Sequence, residues 1–158
     1  MSHILIIYES RTGNVKQMAE AVSEGVRQEG LDVKILPVNQ VQIEDMTGAS
    51  GIIAGTFTSY GIVAGEMKTL FDASVKKHGS LKGKVGGAFA SSGGLGGGVE
   101  TTILSILQMM LVHGMIIEGN HHSPHFGPVA ISKPDDKNLK ACVDLGRRVA
   151  VLVKKLGL

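Results

Sequence analysis

The chain has 158 residues, 43% of them hydrophobic and 19% charged, with a net charge of +2. That composition suits a single domain over residues 1–158 with a sizeable core, and it excludes disordered and collagen-like chains. The charge is too small and dispersed for a nucleic-acid surface, Cys142 alone cannot form an internal disulfide, and neither a transmembrane-length apolar run nor a signal segment appears, so a soluble cytoplasmic protein is expected.

Ile4 to Tyr8 is an unbroken apolar run, too short for a helix and rich in β-branched residues, and it predicts a strand buried on both faces. Val15, Met18, Ala19, Val22 and Val26 recur at helical spacing and predict a helix over 14–28, ended by Gly30. Between them lies Ser10-Arg-Thr-Gly-Asn14. A short polar turn that opens a helix after a buried strand can hold an anion, because the first helical N–H groups lack intrahelical partners and face the positive end of the dipole. The dipole contributes about 0.3–1 kcal/mol and each hydrogen bond to a charged group about 1.5–3 kcal/mol, so a phosphate could be held without a lysine. The plainer reading is a capped helix with no ligand.

Residues 32–36 alternate like a strand with one polar face, suited to a position toward the sheet edge, and Pro37 stops it. A short, poorly formed helix is expected within 39–49. Gly51 to Ala54 reads as the third strand, followed by a loop, Gly55-Thr-Phe-Thr-Ser-Tyr-Gly61. Met67, Leu70, Phe71 and Ser74 mark the inner side of a helix. Residues 84–90 read as a strand whose small side chains allow close packing, and Ser91-Ser-Gly-Gly-Leu-Gly-Gly-Gly98 follows it. That loop has neither dinucleotide-fingerprint spacing nor the Lys-Ser/Thr of a P-loop.

Residues 101–113 predict a helix in which, from Ile103 to Val112, only Ser105 and Gln108 are polar. Such a helix is covered on more than one side. A partner subunit is the favoured second cover, and the 119–134 loop of the same chain is the competing one. Gly114 to Glu118 reads as the fifth strand and 120–134 as a loop with three prolines. Asp135 opens the last helix, with Leu139, Cys142, Val143, Val149, Ala150 and Val153 inward and Leu145, Leu152 and Leu156 off that stripe. Cys142, among apolar neighbours, reads as a buried structural thiol. His121, His122 and His125 sit in the proline-bearing loop with no Cys or ordered acid beside them, poor geometry for a metal. No metal is expected, and these histidines are assigned to the rim of a ligand pocket.

Strands alternate with helices through connections long enough for parallel pairing, and the three glycine–hydroxyl loops follow strands 1, 3 and 4. In such a sheet, ligands bind beyond the carboxyl ends of the strands. With these loops in this order, the chain resembles the flavodoxin-like family, within it the tryptophan-repressor-binding-protein type of FMN-dependent NAD(P)H:quinone oxidoreductase. The resemblance implies an α/β three-layer sandwich with a five-stranded parallel sheet ordered 2-1-3-4-5. It implies that Ser10, Arg11, Thr12, Gly13, Asn14 and Val15 bind the FMN phosphate. Thr56, Phe57, Thr58, Ser59, Tyr60 and Gly61 would line the flavin ring, with Tyr60 stacked on it. Ser91, Ser92, Gly93, Gly94 and Gly97 would lie on the ring's other side.

Val112-His-Gly-Met115 resembles the segment carrying that family's active-site histidine. His113 is therefore the expected catalytic residue, acting on the reduced quinone oxygen and facing a neighbouring subunit's loop; otherwise it is a histidine that ends its helix. The implied activity is two-electron reduction of a quinone or other small acceptor by NAD(P)H through bound FMN, in a homo-oligomer. A one-electron flavodoxin carrier is the alternative. Departures from the quinone reductases are Phe57 for a usual proline, Ser59 for a basic residue and Ile62 for an asparagine. Carrier flavodoxins resemble this chain less in the ring environment, since they sandwich the ring between Trp and Tyr and surround it with acids. Here there is no Trp, and residues 50–99 carry five lysines (68, 76, 77, 82, 84) against Glu66 and Asp72, a balance of 5 − 2 = +3. Less negative charge at the ring raises its reduction potential and favours paired electrons.

Overall fold

A computed structural model describes residues 2–158. In chain order the elements are β1 His3–Glu9, α1 Asn14–Gln28, β2 Asp32–Pro37, α2 Ile43–Gly48, β3 Gly51–Ser59, β4 Ile62–Val63, α3 Gly65–Ala73, β5 Val85–Ser92, α4 Val99–Val112, β6 Ile116–Ile117, β7 Val129–Ile131 and α5 Asp136–Leu156, with short 3-10 turns at Val38–Gln40 and Ser74–Lys77. The parallel sheet runs β2-β1-β3-β5-β6, the order expected from the resemblance, and β2 takes the predicted edge.

Side-chain alternation along β1 divides the core into two. Ile4 and Ile6 face α1 and α5, with Val22, Cys142 and Val149. Leu5 and Ile7 face the opposite layer, with Met67, Phe71, Ile103 and Met110 of α3 and α4. All four β1 residues are fully buried, each worth about 1.5–3 kcal/mol on transfer from water. Every strand of the central path except the edges is covered on both faces, which is why these runs are apolar without a polar face.

Glycines bring the α1–α5 pair together. A Cβ on Gly25 would collide with the Val143 carbonyl, and one on Gly146 with the Val22 carbonyl. In β5, Gly86 makes room for Met110 and Ile117, as the small residues of that strand implied. Cys142 is fully buried and burial pushes its thiol up to about 12, fixing it as a packing residue. Asp135 caps α5 reciprocally with Asn138.

Four expectations change. The fifth strand is two pieces: β6 pairs with Val85 and Gly86 at the start of β5, and β7 pairs with Ala90 to Ser92 at its end. Residues 118–128 loop out between them, so the 120–134 segment contributes a strand. The third strand extends through Ser59 rather than ending at Ala54, and it turns at Tyr60-Gly61 to pair antiparallel with β4. Leu145 is buried against Gly87 of β5, not displaced from the inward stripe. The second cover over the first half of α4 comes from this chain: the 58–63 hairpin bonds to it, and Phe126 and Val129 share a small cavity with its Glu100 and Ile103. Leu111 and Val112, at its far end, stay exposed.

Candidate functional site

The carboxyl ends of β1, β3 and β5 lie side by side because the register pairs Glu9 with Thr56 and Phe57 with Ser91. The three loops that leave these strands enclose a cleft of about 300 Å³. Ser10, Arg11, Thr12, Asn14 and Val15 form one wall, Phe57 and Thr58 a second, and Ser91, Ser92 and Gly93 a third. Ten of the residues singled out from the sequence thus share one surface.

The first wall is an anion cradle left open by its own chain. Gly13 caps α1 with φ +91°, a left-handed conformation that suits glycine, and its N–H donates to Ser10 Oγ at 3.1 Å. No side chain caps α1 and no acid sits in its first turn. The other four α-helices each carry an acid there: Glu44 and Asp45, Glu66, Glu100, and Asp136. The α3 N-terminus is further occupied by the Glu9 carboxylate, which accepts from Met67 N at 2.8 Å. The N–H groups of Asn14, Val15 and Lys16 therefore face the cleft end of α1 with no intrahelical acceptor. Arg11 adds a cation, its guanidinium carbon 4.5 Å from the centroid of the Phe57 ring. Among the described residues no carboxylate lines the cleft.

The other residues expected at the ring, Thr56, Ser59, Tyr60, Gly61, Gly94 and Gly97, do not line the cleft. Ser59, Tyr60 and Gly61 form the hairpin tip; Tyr60 and Gly61 both have positive φ, as a two-residue turn of this hand requires. The Tyr60 side chain is fully exposed and packs on nothing. Gly94 and Gly97 lie in the third loop, where a Cβ on Gly97 would strike Ser92 Oγ. Thr56 departs from expectation: it is fully buried and its hydroxyl donates to the Phe57 carbonyl at 3.1 Å, so it supports the wall from within.

Ser132 was not singled out from the sequence, yet it lines the cleft. Its N–H donates to Ser92 O at 2.7 Å and its hydroxyl to Gly93 O at 3.1 Å, and its φ is +59°. Its position 39 residues after Gly93 left no local signal; only the splitting of the fifth strand brings it there.

His113 is not brought to the cleft. It follows the last residue of α4, beside β6, which pairs with the start of β5. An eight-residue strand separates that end from the loop after β5, roughly 25 Å. The ring is buried, with Nε2 2.8 Å from Ser74 Oγ. Ser74 donates its own proton to Phe71 O, so His113 Nε2 carries the hydrogen and Nδ1 is a buried acceptor without a partner. Desolvation, then the neighbouring His78, holds its basicity below the ordinary histidine value. Within one chain His113 is a packing residue that closes the far end of α4.

The lysines that gave residues 50–99 their positive balance are also remote. Lys76, Lys77 and Lys82 follow α3, on the His113 side; Lys68 pairs with Asp72, and Lys84 donates to Ala49 O. The cation at the cleft is Arg11. His121 and His122 line a different cavity, of about 620 Å³, with Lys137, Lys140 and Arg148 of α5, rather than the rim of the cleft. Among the described residues no group of three or more His, Cys, Asp or Glu side chains is placed to hold a metal ion. Among the described residues no helix is long and apolar enough to cross a membrane.

Comparison with known proteins agrees with this fold. The sequence profile of the Flavodoxin family matches residues 6–101. A protein named Flavodoxin from Aquifex aeolicus (strain VF5) is 39% identical over 95% of this chain and 86% of its own length. An NAD(P)H dehydrogenase (quinone) from Bradyrhizobium diazoefficiens is 36% identical over 77% of this chain and 72% of its own. Among solved structures, the flavodoxin, WrbA-like protein from Agrobacterium tumefaciens superimposes with a TM-score of 0.82 at 26% identity, covering 98% of this chain and 99% of that one.

Proposed function

Because the chain belongs to the flavodoxin family, a family that implies flavin binding, we propose that it holds FMN in the cleft described above and reduces quinones with NAD(P)H. The observation that carries the FMN reading is the α1 N-terminus, the one α-helical start among the described residues with neither an acid in its first turn nor a carboxylate from elsewhere to occupy its N–H groups. A phosphate there would accept from the N–H groups of Asn14 and Val15 and from the hydroxyls of Ser10 and Thr12, with Arg11 balancing charge. Phe57 and Thr58 would flank the ring on one side and Ser91 to Gly94 on the other, with Tyr60 free to lie over it.

FMN held between Ser10 to Val15, Phe57 and Thr58, and Ser91 to Gly93 would supply two-electron redox chemistry between the nicotinamide and the quinone. The balanced reaction is NAD(P)H + H⁺ + quinone → NAD(P)⁺ + hydroquinone. The chain's own part is binding and electrostatics. With Arg11 balancing the phosphate and no carboxylate among the described residues lining the cleft, negative charge gained on reduction meets no nearby acid, which would favour a higher potential and paired transfer. The relatives named NAD(P)H dehydrogenase (quinone) support this reading.

A second reading is a one-electron carrier fed by a reductase; the 39%-identical protein named Flavodoxin favours it. FMN-loaded protein mixed with NADH or NADPH, with and without benzoquinone, separates the two. Direct nicotinamide oxidation accelerated by benzoquinone supports the reductase; no oxidation without an added reductase supports the carrier.

A further inference from the structure

α4 is apolar nearly all round, yet three hydroxyls, Thr101, Thr102 and Ser105, stand on it where the 58–63 hairpin passes. Ser105 Oγ accepts from Val63 N at 3.0 Å and donates to Thr102 O at 2.7 Å. The fully buried Thr102 hydroxyl lies 3.0 Å from Thr58 Oγ1. Thr101 Oγ1 faces two acceptors, Gly61 O at 2.5 Å and Gly98 O at 2.8 Å. The backbones meet at the same point. A Cβ on Gly98, whose φ is +93°, would lie 2.7 Å from Gly61 Cα and 3.1 Å from Gly61 O.

The geometry points to Thr101 as a positioning residue that joins the hairpin of Tyr60 to the glycine loop 93–98, so that two walls of the cleft move as one jaw. Ser105 and Thr102 hold the hairpin at its base, at Val63 and Thr58, and Thr101 holds it near its tip, at Gly61. β4 is two residues long, and an isolated two-stranded hairpin is at best marginally stable in water. Its tip carries Tyr60 in a left-handed conformation, exposed and packed on nothing. The Thr101 bond fixes the peptide that follows Tyr60. The hydroxyl's one proton is shared between Gly61 O and Gly98 O, which sets that peptide beside the cap of α4, whose first turn follows the loop on the cleft's other side. The order of the jaw is thus present before any ligand arrives, which lowers the entropy lost on binding.

The role of the jaw in holding the cofactor rests on the FMN reading above; the clasp itself does not. Two measurements on the full chain keep them apart. Amide exchange of the 58–64 segment is followed in ligand-free wild type, Thr101→Val and Thr101→Ser, and FMN affinity is measured for the same three proteins. Thr101→Val keeps the shape and loses the hydroxyl. It should exchange about 5–10-fold faster in this segment, with β1 and α5 unchanged, and bind FMN about 3–10-fold more weakly. Thr101→Ser should restore both. Unchanged exchange in Thr101→Val overturns the clasp. Faster exchange with unaltered FMN affinity overturns its part in cofactor positioning. Wild-type protein that binds no FMN overturns the FMN reading and with it that part, while the exchange data still decide the clasp.

Discussion

The Arg11 guanidinium lies over the ring of Phe57, 4.5 Å from its centroid, and so joins the phosphate wall of the cleft to its ring wall. A proline at 57, as the quinone reductases usually have there, would remove the platform on which Arg11 rests. Cation–π contact at an exposed site contributes about 0.5–1 kcal/mol and a charged hydrogen bond about 1.5–3 kcal/mol. Arg11→Ala should therefore weaken FMN by about tenfold or more and riboflavin hardly at all. Fluorescence titration of both flavins checks this; equal losses would show that Arg11 acts on the loop and not on the phosphate.

A ligand confined to the folded state must stabilise it. At a hundred times its Kd, FMN should add about 2.7 kcal/mol, raising Tm by about 5–10 °C for a domain of this size. Thermal unfolding with graded FMN reads the shift, and riboflavin at the same concentration should give about half of it or less, about 1.4 kcal/mol for tenfold weaker binding.

His113 gives a pH dependence whose sign follows from its burial. Its folded-state pKa lies below the ordinary 6.5, so the unfolded chain binds more protons as pH falls past that value. Stability is unaffected above the unfolded pKa and declines as pH drops below about 6.5, levelling off only under the folded pKa. Urea unfolding of wild type and His113→Gln between pH 7.5 and 5 should show a steeper decline for wild type. A histidine serving the cleft would instead change FMN-dependent turnover at constant stability.

The close crossing of α1 and α5 holds the α1 N-terminus at the sheet edge. Gly146→Ala would drive a methyl into the Val22 carbonyl, and overpacking of this kind costs about 1–3 kcal/mol. The urea midpoint should fall with little change in slope, and FMN affinity should fall with it if α1 shifts.

The elements legible in the sequence are those whose signals are local. Helix α1 runs from Asn14 to Gln28 as its apolar spacing and Gly30 imply, and α5 starts where Asp135 caps it. The three loops were legible because each follows an apolar run, and the parallel register then brings ten of their residues together. What escaped depends on contacts distant in sequence. The lysines of 76–82 are near the glycine loop in number but at the other end of β5 in space. His113 follows the same logic, since a helix that starts at the cleft must end away from it. The hairpin at Tyr60-Gly61 lacks the Asn-Gly or Asp-Gly signal that marks such turns, and its order comes from hydroxyls on α4 about 40 residues later. Thr56 shows the strand period at work: the residue before Phe57 faces the core.

The most direct measurement is a titration of purified, ligand-free protein with FMN and, separately, riboflavin, followed by quenching of flavin fluorescence. If the phosphate docks on Ser10 to Val15 at the start of α1, FMN saturates at one per chain and riboflavin binds at least about tenfold more weakly. Equal affinity for the two flavins, or no binding of either, would contradict that placement.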